Sequence, residues 1–291
     1  MEMTRKRRPR EIALGFFLLS HPIPVLFHII AVTIFALLAA WPRFAWNIIV
    51  LVIAAHTAMQ LSIAVLNDYC DRRLDAVSKR NKPIPRGLVY PHEALIMGIL
   101  LIVLMVLLLL PLNPLALLIS LLYLAFGQAY NLGLKSTPLS GIVFALAIPL
   151  IPVYAFIGVG RITPLLFWLV PVAALLGIAL NLANSLPDIE QDAANGAHTL
   201  AVALGVRGSF LACPLLILLS ITLIAVLSIT RIILAQTWIM LPVLLTSSLA
   251  TCIMILFFGP GKAKSTRKLY FYLVVLTCLV LAGGWLIGVL I

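Results

Sequence analysis

Two acidic clusters carry the side chains best suited to chemistry. The first reads Asn67-Asp68-Tyr69-Cys70-Asp71-Arg72-Arg73-Leu74-Asp75, the second Asn184-Ser185-Leu186-Pro187-Asp188-Ile189-Glu190-Gln191-Asp192. Both follow the pattern Asn-x3-Asp-x3-Asp. On a helix that spacing sets three oxygen donors along one face. Carboxylates alone repel a polyanion, whereas Mg²⁺ takes oxygen ligands from one or two carboxylates plus substrate phosphates and water. Two such groups facing one another can hold two ions that clamp one diphosphate and stabilise charge on a leaving group. Basic residues suited to phosphate oxygens lie close by: Arg72 and Arg73 within the first cluster, Lys79, Arg80, Lys82 and Arg86 just after it, and Lys135 further on. Arg73, Lys79 and Arg80 read more simply as topology anchors, and Lys135 as functional. His28 and His56 read as satisfied interior polar groups. Tyr123, Phe126 and Tyr130 form an i, i+3, i+7 stripe that serves packing or carbocation stabilisation equally well.

The elements that position these residues are membrane helices. Of the 291 residues 63% are hydrophobic and 10% charged, against roughly 25% charged in an ordinary soluble domain. A water-soluble globule of this size has too much wet surface to hide such a chain. Apolar runs long enough to span a bilayer fall near 14–40, 46–66, 92–111, 114–132, 139–159, 163–186, 209–230, 236–258 and 270–290. The fold class is therefore all-α: a polytopic bundle of about nine transmembrane helices in a single domain over 1–291, with a cytoplasmic-side polar cavity. A basic tail, 1–11, precedes it, and two hydrophilic motif loops, 67–91 and 187–208, interrupt it.

With the N-terminus cytoplasmic, 17 of the 20 Lys and Arg residues fall on inside segments, and Arg43, Arg161 and Arg231 are outside. This positive-inside bias sets the C-terminus on the opposite side, and the expected location is a prokaryotic cell membrane. The net charge of +11 thus reports topology and anionic-lipid contact, not nucleic-acid binding. All five tryptophans (Trp41, Trp46, Trp168, Trp238, Trp285) fall near outer helix ends, as an interfacial belt would. The apolar stretch from Ile12 is too long for a signal-peptide core and reads as an uncleaved first helix. Four cysteines without CxxC or CxxH spacing point to neither a disulfide framework nor zinc.

These motifs resemble the UbiA-type family of intramembrane prenyltransferases. The family pattern NDxxDxxxD is matched by Asn67-Asp68-x2-Asp71-x3-Asp75, and a second DxxxD by Asp188-x3-Asp192. Gly196 to Gly205 is similar to the family's continuation, and Lys82-Pro-Ile-Pro-Arg-Gly87 to its proline-rich segment. Helix number and motif order extend the likeness over nearly the whole chain. Two departures are His21-Pro22, where many relatives have Arg-Pro, and the spacing Tyr130-x4-Lys135.

The resemblance implies Mg²⁺-dependent transfer of a prenyl group from a prenyl diphosphate to an acceptor in the bilayer. The first expectation for that acceptor is a small aromatic ring of quinone-precursor type. A tetrapyrrole carboxylate, haem or a glycerol phosphate ether are the alternatives. Asn67, Asp71, Asp188 and Asp192 are then the ligands of two Mg²⁺ ions, supported by Asp68, Asp75 and Asn184. Asp68 and Asp75 also stand with Lys135 as catalytic candidates. Lys135 neutralises phosphate with Arg72, Lys82 or Arg86, and Tyr130 and Asn184 contact substrate. A competing class, a cation-coupled secondary transporter, places carboxylates near the bilayer midplane. Here they sit at helix ends.

Overall fold

The computed structural model describes residues 7–261 and 263–291, so the first six residues of the basic tail, and Lys262, lie outside it. It is helical throughout: α1 (Pro9–Leu19), α2 (Pro22–Ala40), α3 (Trp46–Ser78), α4 (Pro91–Leu109), α5 (Pro114–Asn131), α6 (Ser140–Ala147), α7 (Leu150–Gly158), α8 (Leu165–Ser185), α9 (Ile189–Ala194), α10 (Leu200–Ile229), α11 (Thr237–Phe257) and α12 (Lys264–Leu290). Among the described residues these supply nine spans long and apolar enough to cross a membrane.

Local sequence accounts for most boundaries. Proline opens α1, α2, α4 and α5, where its missing N–H costs nothing. Asn113 Oδ1 accepts from Leu115 N–H, and Thr199 Oγ1 from Val202 N–H, capping α5 and α10. The run 14–40 is not one helix. It breaks at His21, a non-glycine residue at φ 48°, and Pro22 restarts it. The run 139–159 is two half-helices because Pro149 interrupts the ladder between α6 and α7.

The two motif segments are less loop-like than their polarity suggests. Residues 67–78 continue α3, leaving an irregular loop only from Lys79 to Tyr90. Residues 186–194 form a 3-10 turn and α9, and α10 starts at Leu200 with a break at Gly205 (φ 70°).

Neighbouring spans pack into a ring, α3 on α4, α5 on α3 and α6, α8 on α6 and α10, α11 on α12, and α12 back onto α2. Tyr154, Phe156, Tyr270 and Trp285 fill its interior, while Phe167, Ile229 and Leu256 face outward. Trp285 is thus a core residue and not part of an interfacial belt. One helix contact is backbone-deep. A Cβ on Gly177 of α8 would lie 2.5 Å from the Phe144 carbonyl oxygen of α6. Gly177→Ala must therefore push these helices apart, and is expected to destabilise the bundle by about 1–3 kcal/mol in a detergent unfolding titration.

Candidate functional site

The first cluster is divided by helix geometry. Steps of four residues outrun a 3.6-residue turn, so Asp75 is rotated about 80° from Asn67 and falls nearly in line with Asp68. Asp68 and Asp75 are both buried, and Lys82 bridges them: its Nζ lies 2.7 Å from Asp68 Oδ1 and 3.0 Å from Asp75 Oδ2. The expected row of three donors is therefore a pair, Asn67 and Asp71, beside an internal Asp68–Lys82–Asp75 ion triad. Lys82, read from sequence as a phosphate contact, has its ammonium on these two carboxylates. Burial works against that charge, but the two carboxylates outweigh it and hold the Lys82 pKa above the ordinary lysine value. His21 completes the network, with Nε2 2.9 Å from Asp68 Oδ1. Its left-handed backbone is the local strain that brings the ring there.

On the other face, Asn67 Nδ2 donates to Asn131 Oδ1 (2.9 Å), and Asn131 Nδ2 donates to Ile63 O (3.0 Å). Asp71 receives the Lys135 ammonium on both oxygens. Gly133, at φ 142°, lets the chain turn out of α5 into the 3-10 turn that carries Lys135. Ser136 O then accepts from His198 N–H at 2.8 Å, tying this turn to the segment after the second motif.

The second cluster is held by the last helix. Asp188 pairs with Lys264 and, at 3.7 Å, with Lys79. Arg267, buried at 8% exposure, donates to Glu190 (2.7 Å), Leu186 O (3.1 Å) and Pro260 O (3.2 Å). Asp192 makes no ion pair within 4 Å among the described residues, though Lys79 and Lys135 both act on it electrostatically. Gln191 Nε2 donates to Ser78 O at 3.5 Å, so α9 abuts the end of α3. Tyr130 lies within electrostatic reach of Asp71 and Asp192 together. The two motifs meet at one end of the bundle.

The other basic residues are placed differently. Arg72 lies over its own Tyr69 ring, 4.2 Å from the centroid, and donates to Tyr69 O. Arg73, Arg80 and Arg86 are exposed. Sequence reasoning missed Lys264, Arg267 and Asn131. The first two sat in a basic segment that topology explained, and the signal for Asn131 was an amide at the end of an apolar helix.

Below the clusters lie two neighbouring cavities. One, about 280 Å³, is bounded by His21, Asn67, Tyr130 and Asn184, and reaches down to His28 and Gln60. The other, about 250 Å³, is a largely apolar groove bounded by residues including Phe35, Ile151, Leu176 and Val275. They share Pro24, His28, Phe144, Ile148 and Asn184. Tyr130 meets Phe144 edge to face at 5.6 Å.

The donor set suits magnesium. Asn67, Asp71, Asp188 and Asp192 offer only hard oxygen atoms, and lysine ammonium groups already rest on Asp71 and Asp188. Among the described residues no group of three or more His, Cys, Asp or Glu side chains is set to hold a metal ion.

Comparison with known proteins agrees with this architecture. Residues 27–276 match the UbiA prenyltransferase family. The chain is 32% identical over 146 residues to digeranylgeranylglyceryl phosphate synthase of Thermococcus sibiricus, covering 50% of this chain and 52% of that protein. It is 28% identical over 184 residues to 4-hydroxybenzoate octaprenyltransferase of Escherichia fergusonii, covering 62% and 63% respectively. It thus spans between half and two thirds of the length of these curated relatives. A solved UbiA homologue from Archaeoglobus fulgidus, bound to GPP and Mg²⁺, shares the fold with a TM-score of 0.70 at 17% identity, over 92% of this chain and 99% of that one.

Lys82→Met leaves two buried carboxylates facing each other and is expected to cost about 3 kcal/mol of stability. Because the Lys82 pKa is raised on folding, its contribution is complete below the ordinary value of 10.5 and is lost as pH rises through the folded value. Unfolding titrations at neutral and alkaline pH check both points: the variant should lack the alkaline loss that the wild type shows.

Proposed function

This chain belongs to the UbiA prenyltransferase family, and we propose that it moves a prenyl group from a prenyl diphosphate to a ring acceptor with Mg²⁺ bound between Asn67–Asp71 and Asp188–Asp192. The observation that carries this reading is that the asparagines leading both motifs, Asn67 and Asn184, line the same cavity, at the end of the bundle where Lys79–Asp188 and Gln191–Ser78 contacts join the two motif segments.

Each part of the site has a task. The apolar groove takes the hydrocarbon tail, leaving the diphosphate among Asp71, Asp188 and Asp192. Bound magnesium supplies positive charge to the phosphate oxygens and to the departing pyrophosphate. Asn67, Asp71, Asp188 and Asp192 would hold the ions, and Lys135, Lys79 and Lys264, which rest on Asp71 and Asp188, would supply ammonium groups to the phosphate oxygens. The Asp68–Lys82–Asp75 triad, with His21, fixes the end of α3 so that Asn67 and Asp71 keep their direction. The C1–oxygen bond of the donor breaks, its electron pair leaves with pyrophosphate, and C1 develops positive charge beside the faces of Tyr130 and Phe144. The acceptor bonds to C1 and loses a proton. The apolar walls keep out water, which would otherwise capture C1.

The aromatic lining of the cavity favours a ring acceptor. A second reading, a glycerol phosphate ether, is favoured by the Thermococcus sibiricus relative. Asp71→Ala and Asp192→Ala are each expected to lower Mg²⁺-dependent turnover by about a hundredfold or more, with unfolding midpoints retained. The assay incubates purified protein with Mg²⁺, labelled geranylgeranyl diphosphate, and either 4-hydroxybenzoate or geranylgeranylglyceryl phosphate, and weighs the lipid product by mass spectrometry. Normal turnover by both variants refutes the metal assignment, and the acceptor consumed decides between the two readings.

A further inference from the structure

Three helices repeat their polar residues seven positions apart. His21 and His28 flank Pro22 and the start of α2, Asn67 and Gln60 lie on α3, and Tyr130 and Tyr123 on α5. Seven residues of helix rise about 10 Å, and all six side chains line one cavity. The cavity therefore has an upper tier beside the acidic clusters and a lower tier, His28, Gln60 and Tyr123, well inside the hydrocarbon span.

The lower tier is polar at a cost that packing alone does not explain. Gln60 and Tyr123 are 6% and 7% exposed, and Gln60 Nε2 donates to Tyr123 Oη at 2.7 Å. His28 Nδ1 is buried without a hydrogen-bond partner, contrary to the satisfied role read from sequence. Behind it, His56, 1% exposed, has no partner for either ring nitrogen, although it stacks on Tyr154 and meets His28 at 5.9 Å. Leu or Phe would fill these positions with no unpaired group. In a membrane interior, unpaired polar side chains are expensive and mark function.

We propose that the lower tier recognises an uncharged hydroxyl or carbonyl group that the acceptor carries about 10 Å from its reacting atom. This rests on the prenyl-transfer reading above. The donor tail is hydrocarbon along its length and has the apolar groove. A ligand carboxylate or phosphate at this depth would lack a countercharge, since among the described residues no Lys or Arg lines the cavity. An imidazole and a phenol supply both donor and acceptor to a neutral group, and Tyr123 sets its edge toward the His28 ring, 6.5 Å between centroids, so the wall also suits a flat ring. A plain alkyl chain would leave the tier unpaired.

The test uses the full chain in nanodiscs and a matched pair of probes, 4,4′-dihydroxybiphenyl and 4-hydroxybiphenyl, which differ only in a far hydroxyl about 10 Å from the first, the spacing of the two tiers. Equilibrium binding should favour the dihydroxy probe by about threefold to tenfold, one neutral hydrogen bond's worth. That preference should fall to parity in His28→Phe and Tyr123→Phe, each of which keeps the ring and removes the polar atoms. Equal affinity for the two probes in the wild type, absence of binding by both, or a preference that survives in both variants overturns the proposal. Mg²⁺-dependent binding of geranyl thiolodiphosphate is measured separately. Its absence in the wild type would sink the prenyl-transfer reading without touching the probe result, and unfolding midpoints retained by both variants show that they fold.

Discussion

A carboxylate at the edge of hydrocarbon is costly without a cation beside it, and that cost organises the motif-bearing end of this bundle, where every motif carboxylate but Asp192 has one among the described residues. Asp68 and Asp75 share Lys82, Asp71 has Lys135, Asp188 has Lys79 and Lys264, and Glu190 has Arg267. Most of these cations come from elsewhere in the chain: the loop after α3, the turn after α5, and the start of α12. Charge neutralisation thus stitches distant segments around one site. The same lysines give a polyanion its counterions, so the arrangement that stabilises the fold also prepares the binding of diphosphate.

Much of this was legible in sequence because its causes are local. Apolar run length set the nine spans, and the repeated Asn-x3-Asp-x3-Asp pattern located both motifs. The errors have physical sources. His21 and Pro149 break spans that hydropathy averages across, since a window of mean hydropathy is blind to backbone angles. Asp75 was grouped with Asn67 by counting fours, whereas helical drift delivers it to Asp68. Lys82 looked like a phosphate ligand because sequence shows a cation near acids without showing which way it turns. Lys264 and Arg267 lie far along the chain from the cluster they serve, so no spacing rule reaches them.

The two cavities divide the chemical demands on the site. An apolar groove without ionic groups accepts a tail through contact area alone, which discriminates weakly between one chain length and the next. Fine selection must come from the polar branch, where an unmatched group is costly. Asn184 and Phe144 line both cavities, so on the proposed reading donor and acceptor would meet beside them.

The ring of spans closes where the beginning of the chain meets its end. Phe27 of α2 and Tyr272 of α12 face each other there with centroids 6.0 Å apart, and both helices wall the apolar groove. No short connection ties these two helices, and in lipid little beyond surface fit holds them together. On the prenyl-transfer reading, a hydrocarbon tail longer than the groove would lie against this seam between α2 and α12, whose side chains form part of the groove's wall.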